Sequence, residues 1–385
     1  MVFPGALVRE NHVRPSDVRL TRLWKKARRP GVRRDMRETD VVVIGAGQAG
    51  LSSAYHLRHY GIDHVVLDAN DGAGGAWRHR WPSLRLGKVN GIHPLPGFPP
   101  VDADADLPAS QVVGDYYSAY ERHYGLHVLR PVEVTSVDYG QDNRLVVSAG
   151  TLKWAARAVI NATGTWTRPF WPYYPGMASF TGRQLHTADF RDVEEMRGRK
   201  VIVVGAGSSA TGLLLELAEV ADVTWITRRK PVFRDGEFSQ DIGRAAVATV
   251  DARVRAGLPP LSVVSVTGLW APPELRARLE SLPWLPIFHE VTPDGVRWRD
   301  GTELKADVIL WATGFRAALD HLAPLGLRAP GGGIVMDGTK VVAEPRLHLV
   351  GYGPSASTVG ANRAGRTAAR GVHALLNSSE PAAVV

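Results

Sequence analysis

Two glycine-rich segments of this 385-residue chain have the residue types and spacing to grip phosphate: GAGQAG at Gly45–Gly50 and GAGSSA at Gly205–Ala210. In the first, Gly45 and Gly47 permit a tight turn and close backbone approach to a pyrophosphate. Gln48 and Ala49 open the next helix, and Gly50 lets that helix pack on the sheet. A helix start offers unpaired N–H groups to phosphates. Asp68 stands 23 positions past Gly45, at the end of the apolar run His64–Leu67, where a carboxylate accepts ribose hydroxyls. Gly205, Gly207, Ser208, Ser209 and Ala210 repeat the turn, but the following run, Val223–Thr227, ends in Arg228, Arg229 and Lys230 with no acid. Cations there favour a 2′-phosphate, so the second turn reads as an NADPH site rather than an NADH site, with Ser208 and Ser209 as further donors. One redox dinucleotide and one electron donor on a single chain equip it for oxidoreduction.

The elements that must position these turns are legible around them. Asp40–Ile44 and Lys200–Val204 read as buried strands entering the turns, and 51–60 and 210–220 as the helices leaving them. Residues 110–124 are predicted helical, and 128–137 and 144–148 to be strands of a smaller antiparallel layer, with Val134 among the cofactor contacts. AVINATG, at 158–164, reads as a buried strand ending in a Thr163-Gly164 turn; DVILWATGF, at 307–315, is a near copy ending at Thr313-Gly314. Strand ends of this kind present backbone to a cofactor in a doubly wound sheet. LHLVGYG, at 347–353, reads as a last strand carrying Gly351, and a helix is predicted from Gly360, carrying Asn362. Within 231–290, helices are predicted over 244–256 and 274–281 between Pro-rich breaks.

Two further segments carry a family resemblance. After Asp68, GGAW (Gly74, Gly75, Ala76, Trp77) completes an extended FAD signature, and FTGRQLHTADF places Phe180, Gly182, His186 and Phe190 at the spacing of the identifying motif of flavin-containing monooxygenases. From about Thr39 to Asn377 the chain resembles that family, the class B flavoprotein monooxygenases, with FAD turn, GGAW, this motif, NADPH turn and ATGF in family order. The resemblance implies an α/β fold of two Rossmann-like domains: FAD on 39–170 plus 291–385, and NADPH on an inserted 171–290, of which 231–290 covers the active site. It implies hydride transfer from NADPH to FAD, a flavin hydroperoxide formed with O₂, and delivery of one oxygen atom to a small substrate. The flavin carries the hard chemistry. Baeyer–Villiger members end the motif in Trp; Phe190 points instead to oxygenation of nitrogen or sulfur, with carbonyl oxygenation the lesser expectation. His186 is the named side chain for a mechanistic role, shaping the domain junction and nicotinamide approach, against a purely hydrogen-bonded structural role. Lys88 and Asn90, in the loop after GGAW, are candidates to contact the flavin or its peroxide, against service as ordinary polar loop residues.

Composition sets the limits. The absence of cysteine excludes a disulfide framework, a thiolate metal site and a dithiol relay, and no His cluster has metal spacing, so no metal is expected. The net charge of +8 is local: residues 1–38 hold 11 Lys or Arg against 4 Asp or Glu, and the remainder is nearly balanced. The positive charge therefore marks a basic arm, expected to be disordered, and not a nucleic-acid face on the body. No run approaches the roughly 20 apolar residues of a membrane span, so a cytoplasmic enzyme without membrane or nucleic-acid partners is expected, a homodimer being compatible. Two other readings stay open: an FAD reductase or oxidase passing electrons to a quinone, metal complex or protein, and a regulatory protein using the basic arm.

Overall fold

The computed structural model describes residues 36–89, 92–234, 240–261, 266 and 268–378. Nearly all of the basic arm lies outside them, as does Asn90; the arm's last residues, Met36–Glu38, instead begin the first strand. Two parallel sheets organise the chain, and each starts from a run of Val and Ile too apolar to face water. In the first, β1 (Met36–Ile44) lies between β2 (His64–Leu67) and β6 (Leu152–Asn161), both parallel to it. Beyond β2 stands β3 (Val128–Leu129), and beyond β6 stands β19 (Leu347–Leu349), again parallel. The hairpin β17 (Met336–Asp337) and β18 (Lys340–Val341) extends that edge. β4 (Ser136–Tyr139) and β5 (Leu145–Ala149) form an antiparallel flap on the first half of β6.

The second sheet is inserted between β6 and β17. Its order is β12 (Trp284–Pro286), β9 (Asp222–Thr227), β8 (Lys200–Val204), β16 (Val308–Trp311) and β7 (Arg183–His186), all parallel. Two small sheets flank it, β10 (Phe233–Arg234) with β11 (Leu269–Trp270), and β13 (Glu290–Thr292) with β14 (Gly295–Arg297) and β15 (Glu303–Lys305). Helices α1 (Gln48–His59), α2 (Ala109–Tyr124), α3 (Ser208–Leu217), α4 (Gln240–Arg255), α5 (Pro273–Glu280) and α6 (Thr358–Asn377) complete the fold. No described helix is long and apolar enough to cross a membrane.

Two expectations shift. The strand expected over 128–137 is two strands separated by an unpaired stretch that holds Val134, because the Val132 amide donates to the Asp68 carbonyl and the Thr135 amide to Ser148 of the flap. The chain thus changes partner, from parallel pairing with β2 to antiparallel pairing with β5, and Val134 packs against the buried core that holds Leu67 and Val137. Second, β16 hydrogen-bonds between β8 and β7, so the chain returns to the first sheet only after it and not at residue 291. α1 and α6 pack face to face: a Cβ at Gly365 would come 2.6 Å from the Ser52 hydroxyl, so glycine is what allows the approach.

Candidate functional site

The first glycine turn sits at the carboxyl end of β1 and bends as its residues require. Gly45 has φ +97°, and a Cβ there would lie 2.7 Å from the Ala162 carbonyl at the end of β6. A Cβ at Gly50 would lie 1.9 Å from the Gly45 carbonyl, so α1 closes on the turn only with glycine. Gly47 caps α1 with no side-chain hydrogen bond, which leaves the first N–H groups, those of Gln48, Ala49 and Gly50, for a ligand. Gly75, at φ +51°, brings GGAW onto this turn: its Cβ would stand 2.8 Å from the Gly47 Cα. Two separate sequence motifs thus form one backbone-lined cradle, which fits the pyrophosphate of a dinucleotide. Asp68, 2% exposed, accepts from the Ala46 amide (3.0 Å), the Asn70 amide (2.9 Å) and the Asn70 side chain (2.8 Å), and lies 3.5 Å from Arg130. The carboxylate therefore shapes the turn.

Other predicted residues collect at the same sheet edge. Thr163 donates to the Ala318 carbonyl (2.7 Å), Gly164 has φ +65° with open space beside it, and Gly351 follows β19 with φ +71° and is likewise open. Gln48 donates to the Thr358 carbonyl (2.7 Å) and to Asn362 Oδ1 (3.2 Å), while Asn362 Nδ2 donates to the Pro94 carbonyl (2.8 Å). Asn362 therefore ties the glycine turn to the loop after GGAW. The same loop is held by one face of α2, where the Tyr116 hydroxyl donates to Pro99 (2.8 Å), Tyr120 to Pro96 (3.0 Å) and Tyr124 to Gly97. Spacing of four residues puts these three phenols on one helix face. Lys88 ends a short turn, Leu86–Lys88, that is pinned to Ala105 and Leu107, and its side chain is exposed.

The second turn is more open. Gly205 has φ +135° and a Cβ there would lie 2.2 Å from the Ala312 carbonyl, whereas Gly207 has nothing within 4 Å. Gly207 caps α3 without a side-chain bond, Ser208 is exposed, Ser209 is half-buried, and Ala210 packs into the core. Trp225 of β9 steadies the turn by donating its indole N–H to the Gly205 carbonyl (2.7 Å). Arg228 and Arg229 follow β9 on the surface, where β2 has its acid.

Between the two turns lies the junction. Residues 164–170 and 313–318 run side by side: the Phe170 amide donates to Gly314 (2.9 Å), Arg316 to Arg168 (2.8 Å) and Ala318 to Gly164 (2.9 Å). The Thr313 hydroxyl donates to Phe170 (2.5 Å). His186 is locked onto this pair. Its ring lies 3.0 Å from the Gly314 carbonyl through Nε2 and 3.1 Å from the Ala188 amide through Nδ1, and it is fully buried. A carbonyl can only accept and an amide N–H only donate, so Nε2 carries the proton and Nδ1 is bare. Burial pushes its pKa below the ordinary histidine value, so the ring is neutral. Phe180 and Gly182 serve the same seam: a Cβ at Gly182 would collide with the Asp307 carbonyl (2.4 Å) and the Phe180 ring (2.6 Å). Phe190 meets Trp81 edge to face at 6.1 Å. Within the motif His186 fastens the end of β7 to the crossover, Gly182 lets the start of β7 close on Asp307, and Phe190 packs on Trp81.

Aromatic rings line that junction. Trp166 stacks on Phe315 (5.1 Å) and His79 (5.8 Å), and His186 meets Phe315 edge-on (5.0 Å) and Trp171 (5.9 Å). The Arg80 guanidinium lies 4.8 Å from the centre of Trp166 and 5.8 Å from that of Trp77. Neither Arg80 nor the Gln48–Asn362 link is marked by local spacing; the only available signal was the basic run RHR immediately after GGAW. α4 reaches from the second unit to the first, with Val254 so close to the turn after β19 that a Cβ at Gly353 would stand 2.9 Å from it.

Two parallel sheets, each with a glycine turn and an uncapped helix start at its carboxyl edge, define a two-nucleotide oxidoreductase. Residues 42–256 match the pyridine nucleotide-disulphide oxidoreductase family. A flavin-containing monooxygenase from Stenotrophomonas maltophilia is 37% identical, with a TM-score of 0.75 over 89% of this chain and 100% of that one. Indole-3-pyruvate monooxygenase YUCCA1 of Oryza sativa subsp. japonica is 28% identical over 320 residues, 74% of this chain and 79% of that protein. Cyclohexanone monooxygenase, in its open crystal structure, shares the fold at 20% identity, with a TM-score of 0.62 over 88% of this chain and 87% of that one. The chain belongs to the pyridine nucleotide-disulphide oxidoreductase family, among its flavin-containing monooxygenases. It is an enzyme that binds a flavin and a pyridine nucleotide, and having no cysteine it has no dithiol to relay electrons.

Proposed function

We propose that the protein is an NADPH-dependent FAD monooxygenase that places one atom of O₂ on a small nitrogen-, sulfur- or carbonyl-containing substrate. The observation that carries this reading is the junction itself: two open glycine turns converge on an aromatic-lined seam closed by neutral His186. FAD belongs at the first turn, where GGAW completes the cradle and Asp68 suits an unphosphorylated ribose. NADPH belongs at the second, where Arg228 and Arg229 stand in place of an acid. When bound, reduced flavin supplies the activation of O₂. The chain's own residues bind, orient and keep dry: the Trp166–Phe315 stack excludes water, and His186, with both ring nitrogens engaged, holds the crossover and moves no proton.

The test is anaerobic reduction of the FAD-loaded protein with NADPH followed by rapid mixing with oxygenated buffer. A long-lived absorbance near ~370–390 nm, distinct from both oxidised and reduced flavin, supports oxygenation. Direct return to oxidised flavin supports a reductase or oxidase instead, and failure of NADPH to reduce the flavin refutes both.

A further inference from the structure

Arg80 is a cation without a counter-ion among the described residues. Among the described residues no carboxylate lies within 4 Å of its guanidinium and no side-chain or carbonyl oxygen accepts from it; its neighbours are the faces of Trp166 and Trp77. Burial alone acts on it, lowering its pKa, with no acid to offset the loss of hydration. Arg80 is half-buried, and the aromatic faces beside it stabilise such a cation by about 0.5–2 kcal/mol while leaving its N–H fork unengaged by protein acceptors. The surroundings are positive as well. Arg191, from the far side of the junction, acts electrostatically on His79, next to Arg80 in the chain, and donates through Nη1 to the Ala188 and Phe190 carbonyls. The nearby acids are committed elsewhere: Asp68 to Ala46, Asn70 and Arg130, and Asp71 to Arg78.

The cofactors' anionic groups have other receptors. Each pyrophosphate has a helix start with unpaired N–H groups, α1 or α3, and a 2′-phosphate has Arg228 and Arg229. The guanidinium at the junction is left over, and its planar fork suits a carboxylate. We propose that Arg80 receives a carboxylate on the substrate, so that the enzyme acts on a small organic acid. This deepens the oxygenase reading of the same junction and is tested without turnover.

Oxidised, FAD-loaded enzyme is titrated by calorimetry and flavin difference spectroscopy with benzoate, phenylacetate and phenylpyruvate, and with benzamide and phenylacetamide, the neutral analogues of the first two. At least one acid is expected to bind more tightly than its amide. Arg80→Gln should weaken that acid by about 10- to 100-fold, the range for a hydrogen bond to a charged group, while the amide is unaffected and Arg80→Lys keeps part of the affinity. NADP⁺ affinity should be the same in all three proteins, with unchanged FAD content as the folding control. Equal binding of acids and amides, or no binding of any acid, overturns the proposal. Loss of NADP⁺ affinity in Arg80→Gln overturns it too, by assigning the cation to a nucleotide phosphate. Acid binding that depends on Arg80 would survive a failed oxygen-mixing experiment, so the two readings fall separately.

Discussion

If His186 is a fastening and not an acid or base, replacing it with phenylalanine should cost stability before it costs chemistry. His186→Phe keeps the ring volume but leaves the Ala188 amide without its partner, while the Gly314 carbonyl keeps its bond from the Phe170 amide. An orphaned buried group costs about 1–3 kcal/mol; Ala188 is only partly buried, so the lower half applies, about 1–2 kcal/mol. For a protein of this size that lowers Tm by roughly 1–3 °C. The pH dependence has a definite sign. Burial holds the folded pKa below the unfolded value near 6.5, so below that pH the unfolded chain takes up a proton that the folded ring refuses. The wild type therefore loses stability as pH falls, the variant lacks that loss, and the Tm gap should narrow from pH 8 to pH 5. Thermal unfolding by circular dichroism measures the gap, and stopped-flow reduction of the flavin by NADPH, below the variant's Tm, measures the chemistry. A variant with wild-type Tm whose reduction rate has lost a pH-dependent limb would refute the argument and make His186 a proton-transfer group.

Gly75→Ala puts a methyl group 2.8 Å from the Gly47 Cα at a left-handed backbone position, so FAD retention through gel filtration should fall sharply while the apoprotein stays folded; full flavin content in the variant would refute the shared cradle. Arg228→Ala with Arg229→Ala should raise KM for NADPH by about 10- to 100-fold and leave KM for NADH nearly unchanged, since only the 2′-phosphate loses its partners. Burial lowers the pKa of His348, 3% exposed, to about 4, so folding stability should fall as pH drops from 6.5, by up to roughly 3 kcal/mol near pH 4 from this group; a flat urea-denaturation profile over that range would contradict it.

What short windows of sequence determined is what short-range geometry demands. GAGQAG and GAGSSA announce their turns because only glycine tolerates the φ of Gly45 and Gly205 and the contacts of 2.7 and 2.2 Å that a Cβ would make there. β2, β8 and α2 lie within a residue of their predicted limits because their apolar periodicity is local. Tertiary structure alone decided the rest. β16 and the AVINATG strand are near copies, yet one joins the second sheet and the other the first, since a buried strand of Val, Ile and Leu pairs wherever the topology leaves an edge. Val134 looked like strand and is a change of partner, dictated by Asp68 on one side and Ser148 on the other. The role of His186 rests on a carbonyl 128 residues away, and the cradle on two glycines, Gly47 and Gly75, brought together only by packing. The cation at Arg80 is conspicuous only once its surroundings prove to be indole faces and not carboxylates, which no spacing encodes. A turn is dictated by its own backbone, whereas a site depends on which distant groups the fold places beside it.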